Sequence, residues 1–151
     1  VRTGDALGVL DGVGLLARAS LMAGETAAAR EWAEQALAIT RHSPLSGFGG
    51  LEGYLAPPEV LVALAHREGD PDQRQVLTRL SAQALLLAWY YAWTFPIGLP
   101  RAWMASGLYA RLRGHPWLAQ QCLARALANA QELAMPHDAQ RALAALTGAW
   151  G

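Results

Sequence analysis

Residues 21–37, LMAGETAAAREWAEQAL, and residues 111–127, RLRGHPWLAQQCLARAL, decide the fold of this chain. Each carries a glycine at the same place, Gly24 and Gly114, followed by small residues at matched steps: Ala29 pairs with Ala119, and Ala36 with Ala126. Gly69 stands midway, so the glycines recur every 45 residues. Each follows one helix-length apolar stretch and precedes another, which is the mark of a repeat. A glycine there suits a tight turn at a helix C-terminus, where positive φ is needed and a Cβ would clash.

Working outward, apolar residues fall at helical spacing on both sides of the glycines. Ala29, Trp32, Ala33, Ala36, Leu37 and Ile39 make one stripe, and Leu118, Ala119, Cys122, Leu123, Ala126 and Leu127 make its counterpart. Seven helices are expected, at about 6–23, 26–41, 57–68, 71–94, 100–113, 116–134 and 137–149. Pro58 and Pro100 suit first turns, where no amide donor is required. The glycine-rich segment His42–Ala56, HSPLSGFGGLEGYLA, reads as one long irregular connection. Small residues let paired helices approach closely, and short turns make the pairs antiparallel. The expected fold is all-α: one domain over residues 1–151, built as antiparallel hairpins stacked into a short α-solenoid.

Composition agrees. More than half of the chain is hydrophobic, Ala and Leu dominate, and β-branched residues are scarce, which argues against both disorder and a sheet. The net charge is zero, yet residues 1–72 hold ten acids and five Arg, while residues 73–131 hold six Arg and no acid. There is no Lys, and six Arg over such a length are too sparse for a surface that tracks a nucleic-acid backbone. The single cysteine, Cys122, excludes an internal disulfide and a CxxC metal site, and a reduced, cytoplasmic setting is expected. The start, Val1-Arg2-Thr3, has no signal-peptide pattern and reads as an excision from a larger protein.

The run Leu80–Pro100 lacks charge and approaches membrane length. Pro96, Gly98 and Pro100 interrupt it, so too few apolar residues stay helical to span a bilayer. No membrane role is expected.

These spacings resemble tetratricopeptide (TPR) repeats. Leu16-Ala17, Gly24, Ala29, Ala33 and Ala36 fit the pattern, and Trp103, Gly107, Gly114, Ala119, Leu123 and Ala126 fit it better. The middle unit fits at Leu61, Ala65 and Gly69, then departs at Arg74, Thr78 and Ser81. The period of 45 residues exceeds the TPR repeat of about 34, so helices or connections are longer. The string from Phe95 to Leu146, with its FPIGLPRA connection and its Leu133-Ala134-Met135-Pro136 ending, resembles the helical tail of multidomain signalling ATPases. These are regulators of the adenylate/guanylate-cyclase or LuxR type. The resemblance implies a non-catalytic protein-interaction or regulatory element.

Chemistry finds little support. There is no GxxxxGK[ST] or GxSxG, and the four His lie far apart, so neither catalytic residues, metal nor cofactor is expected. Glycines at Gly12-Val13-Gly14 have no strand before them to make a phosphate loop. Glu31 and Glu34 read as solvated surface, and Cys122 as an inert core thiol. Recognition remains. By analogy with TPR positions, a concave groove would present Arg18, Glu59, His66, Arg101, Met104, Leu108 and Arg111 to a protein or peptide partner, or to other domains of the parent protein. Trp89, Tyr90, Trp93, Phe95, Trp103 and Trp117 would form an aromatic seam between hairpins, or the pocket of a small-molecule sensor. A homodimer through exposed repeat ends, with the chain as a structural dimerisation module, is the third expectation.

Overall fold

The computed structural model describes residues 3–42 and 50–148. Seven α-helices and one 3-10 turn account for nearly all of them, and no strand occurs among the described residues. The helices are α1 (Thr3–Met22), α2 (Thr26–His42), α3 (Leu51–Arg67), α4 (Pro71–Thr94), α5 (Leu99–Leu112), α6 (Pro116–Glu132) and α7 (Pro136–Leu146), with the 3-10 turn at Pro96–Gly98 before α5. No described helix is long and apolar enough to cross a membrane. The chain divides into two compact units, Val1–Tyr91 and Ala92–Gly151.

In the first unit α1, α2 and α3 pack against one another. The α1–α2 turn closes as the repeat predicts. Gly24 has φ 78°, the Glu25 amide donates to Ser20 C=O at 2.9 Å, and the Gly24 amide donates to Leu21 C=O at 3.1 Å. This is a Schellman motif, which satisfies carbonyls that the helix end would leave bare. In the second unit, α5 packs on α6 and α6 on α7. Gly114, also at φ 78°, repeats the motif, with His115 N–H to Ala110 C=O at 2.9 Å and Gly114 N–H to Arg111 C=O at 3.1 Å.

Gly69 departs from this pattern. It is not left-handed; Glu68 turns to extended backbone (φ −72°, ψ 125°), and Asp70 Oδ1 accepts the Asp72 amide at 3.1 Å. An aspartate N-cap followed by Pro71 starts α4 without a left-handed residue. Ala134 does the opposite. With φ 53° it closes the α6–α7 turn, Met135 N–H reaching Ala130 C=O at 2.8 Å. A left-handed alanine costs about 1 kcal/mol that glycine does not. Ala134→Gly should therefore stabilise the protein by about that amount, raising the thermal midpoint by a few degrees. An unchanged or lowered midpoint would show that the alanine side chain is needed at the turn.

The largest difference from expectation is α3. It begins at Leu51, so residues 51–56 are helical rather than irregular, and residues 43–49 lie outside the described residues. Pro57 and Pro58 fall inside the helix, where neither supplies an amide to the preceding turn. Every residue from Gly53 to Ala65 is buried. Gly53 is a packing residue, not a breaker: a Cβ on it would lie 2.1 Å from Leu10 Cγ. The core around α3 is made by Leu10, Leu37, Leu55, Val60, Leu61 and Leu77, all at most 2% exposed.

The matched alanines behave alike in both units. Ala29, Ala36, Ala119 and Ala126 are all buried. In the second unit Gly107 lets α5 sit against Leu123 of α6, where a Cβ would fall 2.8 Å from Leu123 Cγ.

Candidate functional site

Three features outside the apolar core carry chemistry. The first is a polar cluster where α1 faces α3. Arg18 Nη1 donates to both carboxylate oxygens of Glu52, at 3.0 and 3.1 Å, and its Nε lies 3.9 Å from Glu59 Oε2. Asp11 Oδ1 accepts the Glu52 amide at 3.0 Å, supplying a cap to the first turn of α3. Glu59 is buried, and Arg18 is about a quarter exposed. For such a pair the cost of desolvation offsets much of the attraction between the charges.

Beside this cluster the rings of Tyr54 and Tyr91 stack at 5.2 Å between centroids. Both are buried, and the Tyr54 hydroxyl makes no hydrogen bond. Burial, then the charge of Asp11, then Tyr54 push the Tyr91 phenol up to about 12. Burial and Tyr90 raise that of Tyr54.

The second feature is a cleft of about 310 Å³ in the first unit, lined by Thr26, Ala27 and Arg30 of α2, Leu64, Arg67 and Glu68 at the end of α3, and Leu77 of α4. Arg30 donates from Nε to Glu34 and from Nη1 to Gln73, each at 2.9 Å. Farther along the same helices Arg41 donates to Gln83, a second tie between α2 and α4.

The third is exposed apolar surface on α4. Leu86 is 74%, Tyr90 56% and Trp93 76% exposed. Leu86 and Tyr90, four residues apart, share one face of α4 within the first unit, and Trp93 belongs to the second. In the second unit Trp117 is also exposed, beside a hollow of about 470 Å³ formed with Gly114, His115, Pro116 and Leu118.

The expected groove residues mostly serve the interior. Glu59, Arg101, Met104 and Leu108 are buried. Arg18 holds Glu52, and Arg111 donates from Nη2 to Ala145 C=O at 2.9 Å, tying α5 to α7. His66 alone of the seven is exposed. Among the expected aromatic residues, Trp89, Phe95 and Trp103 are half-buried and Tyr90, Trp93 and Trp117 exposed. The Arg125 guanidinium lies 5.7 Å from the Trp103 ring centroid, a cation–π contact within the second unit.

No group of His, Cys, Asp or Glu among the described residues is arranged to hold a metal ion. Cys122 is buried, and burial raises its thiol pKa, which disfavours the nucleophilic thiolate. Glu31 is exposed, and Glu34 is paired with Arg30, as a solvated helix face requires. Sequence reasoning missed Glu52, Asp11 and the Tyr54–Tyr91 pair, because Glu52 and Tyr54 fall in the stretch read as irregular. No family model matches the chain, and no curated protein or solved structure is significantly similar to it.

Proposed function

We propose that this chain is a non-catalytic protein-interaction domain, built as TPR-like hairpins, that docks a protein partner on α4. The observation that carries the reading is the exposed Leu86–Tyr90 face of α4 in the first unit. A helix seldom leaves a leucine about three-quarters exposed beside a half-exposed tyrosine on one face unless something covers them. Tyrosine is also among the side chains that dominate interface energies. The TPR-like arrangement is supported by the identical turns at Gly24 and Gly114 and by the buried alanines at matched steps behind them. The resemblance of the C-terminal half to tails of signalling ATPases supports a regulatory role within a larger protein.

The groove suggested by TPR analogy is the weaker surface, since most of its residues are engaged in packing. The test is a selection of phage-displayed random peptides on the full chain. Selected peptides should be rich in apolar residues, and Tyr90→Ala should weaken them about tenfold or more, Leu86→Ala about fivefold. Gln75→Ala, an exposed position on the same helix, should leave affinity unchanged. Peptides that bind Tyr90→Ala and Leu86→Ala as well as the parent chain would overturn the assignment of this face. Sedimentation of the free chain separates the rival in which a second copy covers it: a dimer abolished by Tyr90→Ala would replace the heterologous partner.

A further inference from the structure

We propose that the partner of α4 is an acidic amphipathic helix, which lays its apolar stripe along α4 and meets Arg79 and Arg41 with carboxylates. The inference rests on the reading of α4 as a docking face and names the chemistry of what docks there. Val76, Arg79, Gln83, Leu86 and Tyr90 recur at steps of three, four, three and four residues. That spacing keeps them on one side of the helix, as the seam of a paired helix requires. The seam is open to solvent: Val76 is 40% exposed, and Arg79 and Gln83 are exposed with Leu86 and Tyr90. It runs along roughly 20 Å of α4, about four turns of a partner helix.

The charge beside the seam selects the partner. Arg41 of α2 donates to the Gln83 side chain, and Arg79 stands one turn before Gln83 on the same face of α4. Gln83 is neutral and leaves the charge of Arg41 unanswered, while Arg79 forms no hydrogen bond or ion pair among the described residues. The acids that could cancel these charges stand apart. Asp72 lies two turns before Arg79 on α4, and Glu34 two turns before Arg41 on α2, each roughly 10 Å along its helix. Glu34 is also taken by Arg30, and Glu52 and Glu59 face Arg18. No acid occurs in residues 35–51 or 73–131. Two guanidinium groups therefore flank Gln83 with no carboxylate bound to either. An uncharged helix docked there would strip water from both and give no counter-charge in return. A helix with Glu or Asp beside its apolar stripe supplies that charge, and a guanidinium offers two parallel donors that match a carboxylate. A basic helix is repelled.

The experiment measures, by fluorescence anisotropy, how three labelled helical peptides of about 18 residues bind the full chain. All carry leucine at alternating steps of three and four. Their flanking positions are glutamate in the first, glutamine in the second and lysine in the third. The glutamate peptide should bind about tenfold or more tighter than the glutamine peptide, and the lysine peptide should bind most weakly. Arg79→Gln and Arg41→Gln should each weaken the glutamate peptide about threefold, and together about tenfold, without weakening the glutamine peptide. Arg113→Gln, at an exposed position in the second unit, should change nothing. Sodium chloride at about 0.5 M should remove most of the preference. Polyglutamate, with charge but no apolar stripe, should bind about tenfold more weakly than the glutamate peptide. Equal affinities for the three peptides would overturn the proposal, as would a glutamate peptide indifferent to the two arginine substitutions. So would polyglutamate binding as tightly, or a dimer of the chain that excludes the peptides. The two readings fail separately. If Tyr90→Ala abolishes binding of all three peptides alike, α4 remains the docking face and only its charge preference falls. If Tyr90→Ala and Leu86→Ala leave the glutamate peptide bound, the docking face falls and this proposal with it.

Discussion

Gly14→Ala should destabilise the protein by about 2–3 kcal/mol, although it places the best helix former in the interior of a helix. A Cβ at Gly14 would lie 2.4 Å from the Glu52 carbonyl oxygen, 2.5 Å from its carbon and 2.8 Å from the Gly53 nitrogen. These are backbone atoms of α3, which cannot rotate aside as a side chain could. Restoring ordinary contact requires α1 and α3 to part by roughly an ångström. That separation falls where Arg18 grips Glu52, where Asp11 caps it, and where Leu10 fills the space above Gly53. The strain thus reaches a polar cluster whose bonds depend on distance, so the loss exceeds the helix-propensity gain of about 1 kcal/mol.

The same substitution elsewhere on α1 supplies the control. Gly8 and Gly12 have no atom within 4 Å of an added Cβ. Gly8→Ala and Gly12→Ala should stabilise by up to about 1 kcal/mol each, because only the unfolded-state entropy changes. Urea unfolding followed by far-UV circular dichroism reads all three. If Gly14→Ala matched the parent within about 0.5 kcal/mol, the close approach of α1 to α3 would be wrong.

The glycines also mark how far the sequence could be read. Gly24 and Gly114 were legible because a left-handed glycine has one common use, ending a helix. Gly14 and Gly53 were not, because a glycine that lets two helices touch has no local signature. The sequence offers only an interrupted pattern there, and Gly53 reads as a breaker. The first half of α3 was hidden for a related reason. Its residues are buried all round, so no apolar stripe exists to be counted. By contrast α4 was legible at both ends, because Pro71 opens it and Pro96 bars its continuation. The exposed face of α4 was harder. Leu85, Leu86, Leu87, Trp89, Tyr90 and Trp93 surround the helix with apolar side chains, and nothing local tells which of them the core covers. The analogy could not supply the partners that two of the groove residues take: Arg18 points to Glu52, and Arg111 to a backbone carbonyl of α7.

Alkaline pH should unfold the first unit through Tyr91. Its phenol ionises near pH 12 in the folded chain, against about 10 when exposed, first because burial withholds solvent from the phenolate and next because Asp11 repels it. Below pH 10 the phenol is protonated in both states, so its full contribution is present. Between about pH 10 and 12 the unfolded chain releases the proton and the folded chain does not, so stability is lost as pH rises. Across that window the loss amounts to roughly 3 kcal/mol, a large share of a small domain's stability. Tyr91→Phe keeps the ring stacked on Tyr54 but removes the ionising group, and should move the alkaline unfolding midpoint upward. Tyrosinate absorbance in the parent chain should show the two buried phenols, Tyr91 and Tyr54, lagging behind the others and then ionising together with the loss of helix. Tyr54→Phe tests the neighbouring ring from the other side. Its buried hydroxyl has no partner, so deleting it should stabilise the chain at neutral pH by about 1 kcal/mol rather than weaken it. An unchanged alkaline midpoint in Tyr91→Phe would remove Tyr91 as the trigger, and a destabilised Tyr54→Phe would mean that the hydroxyl has found a bond.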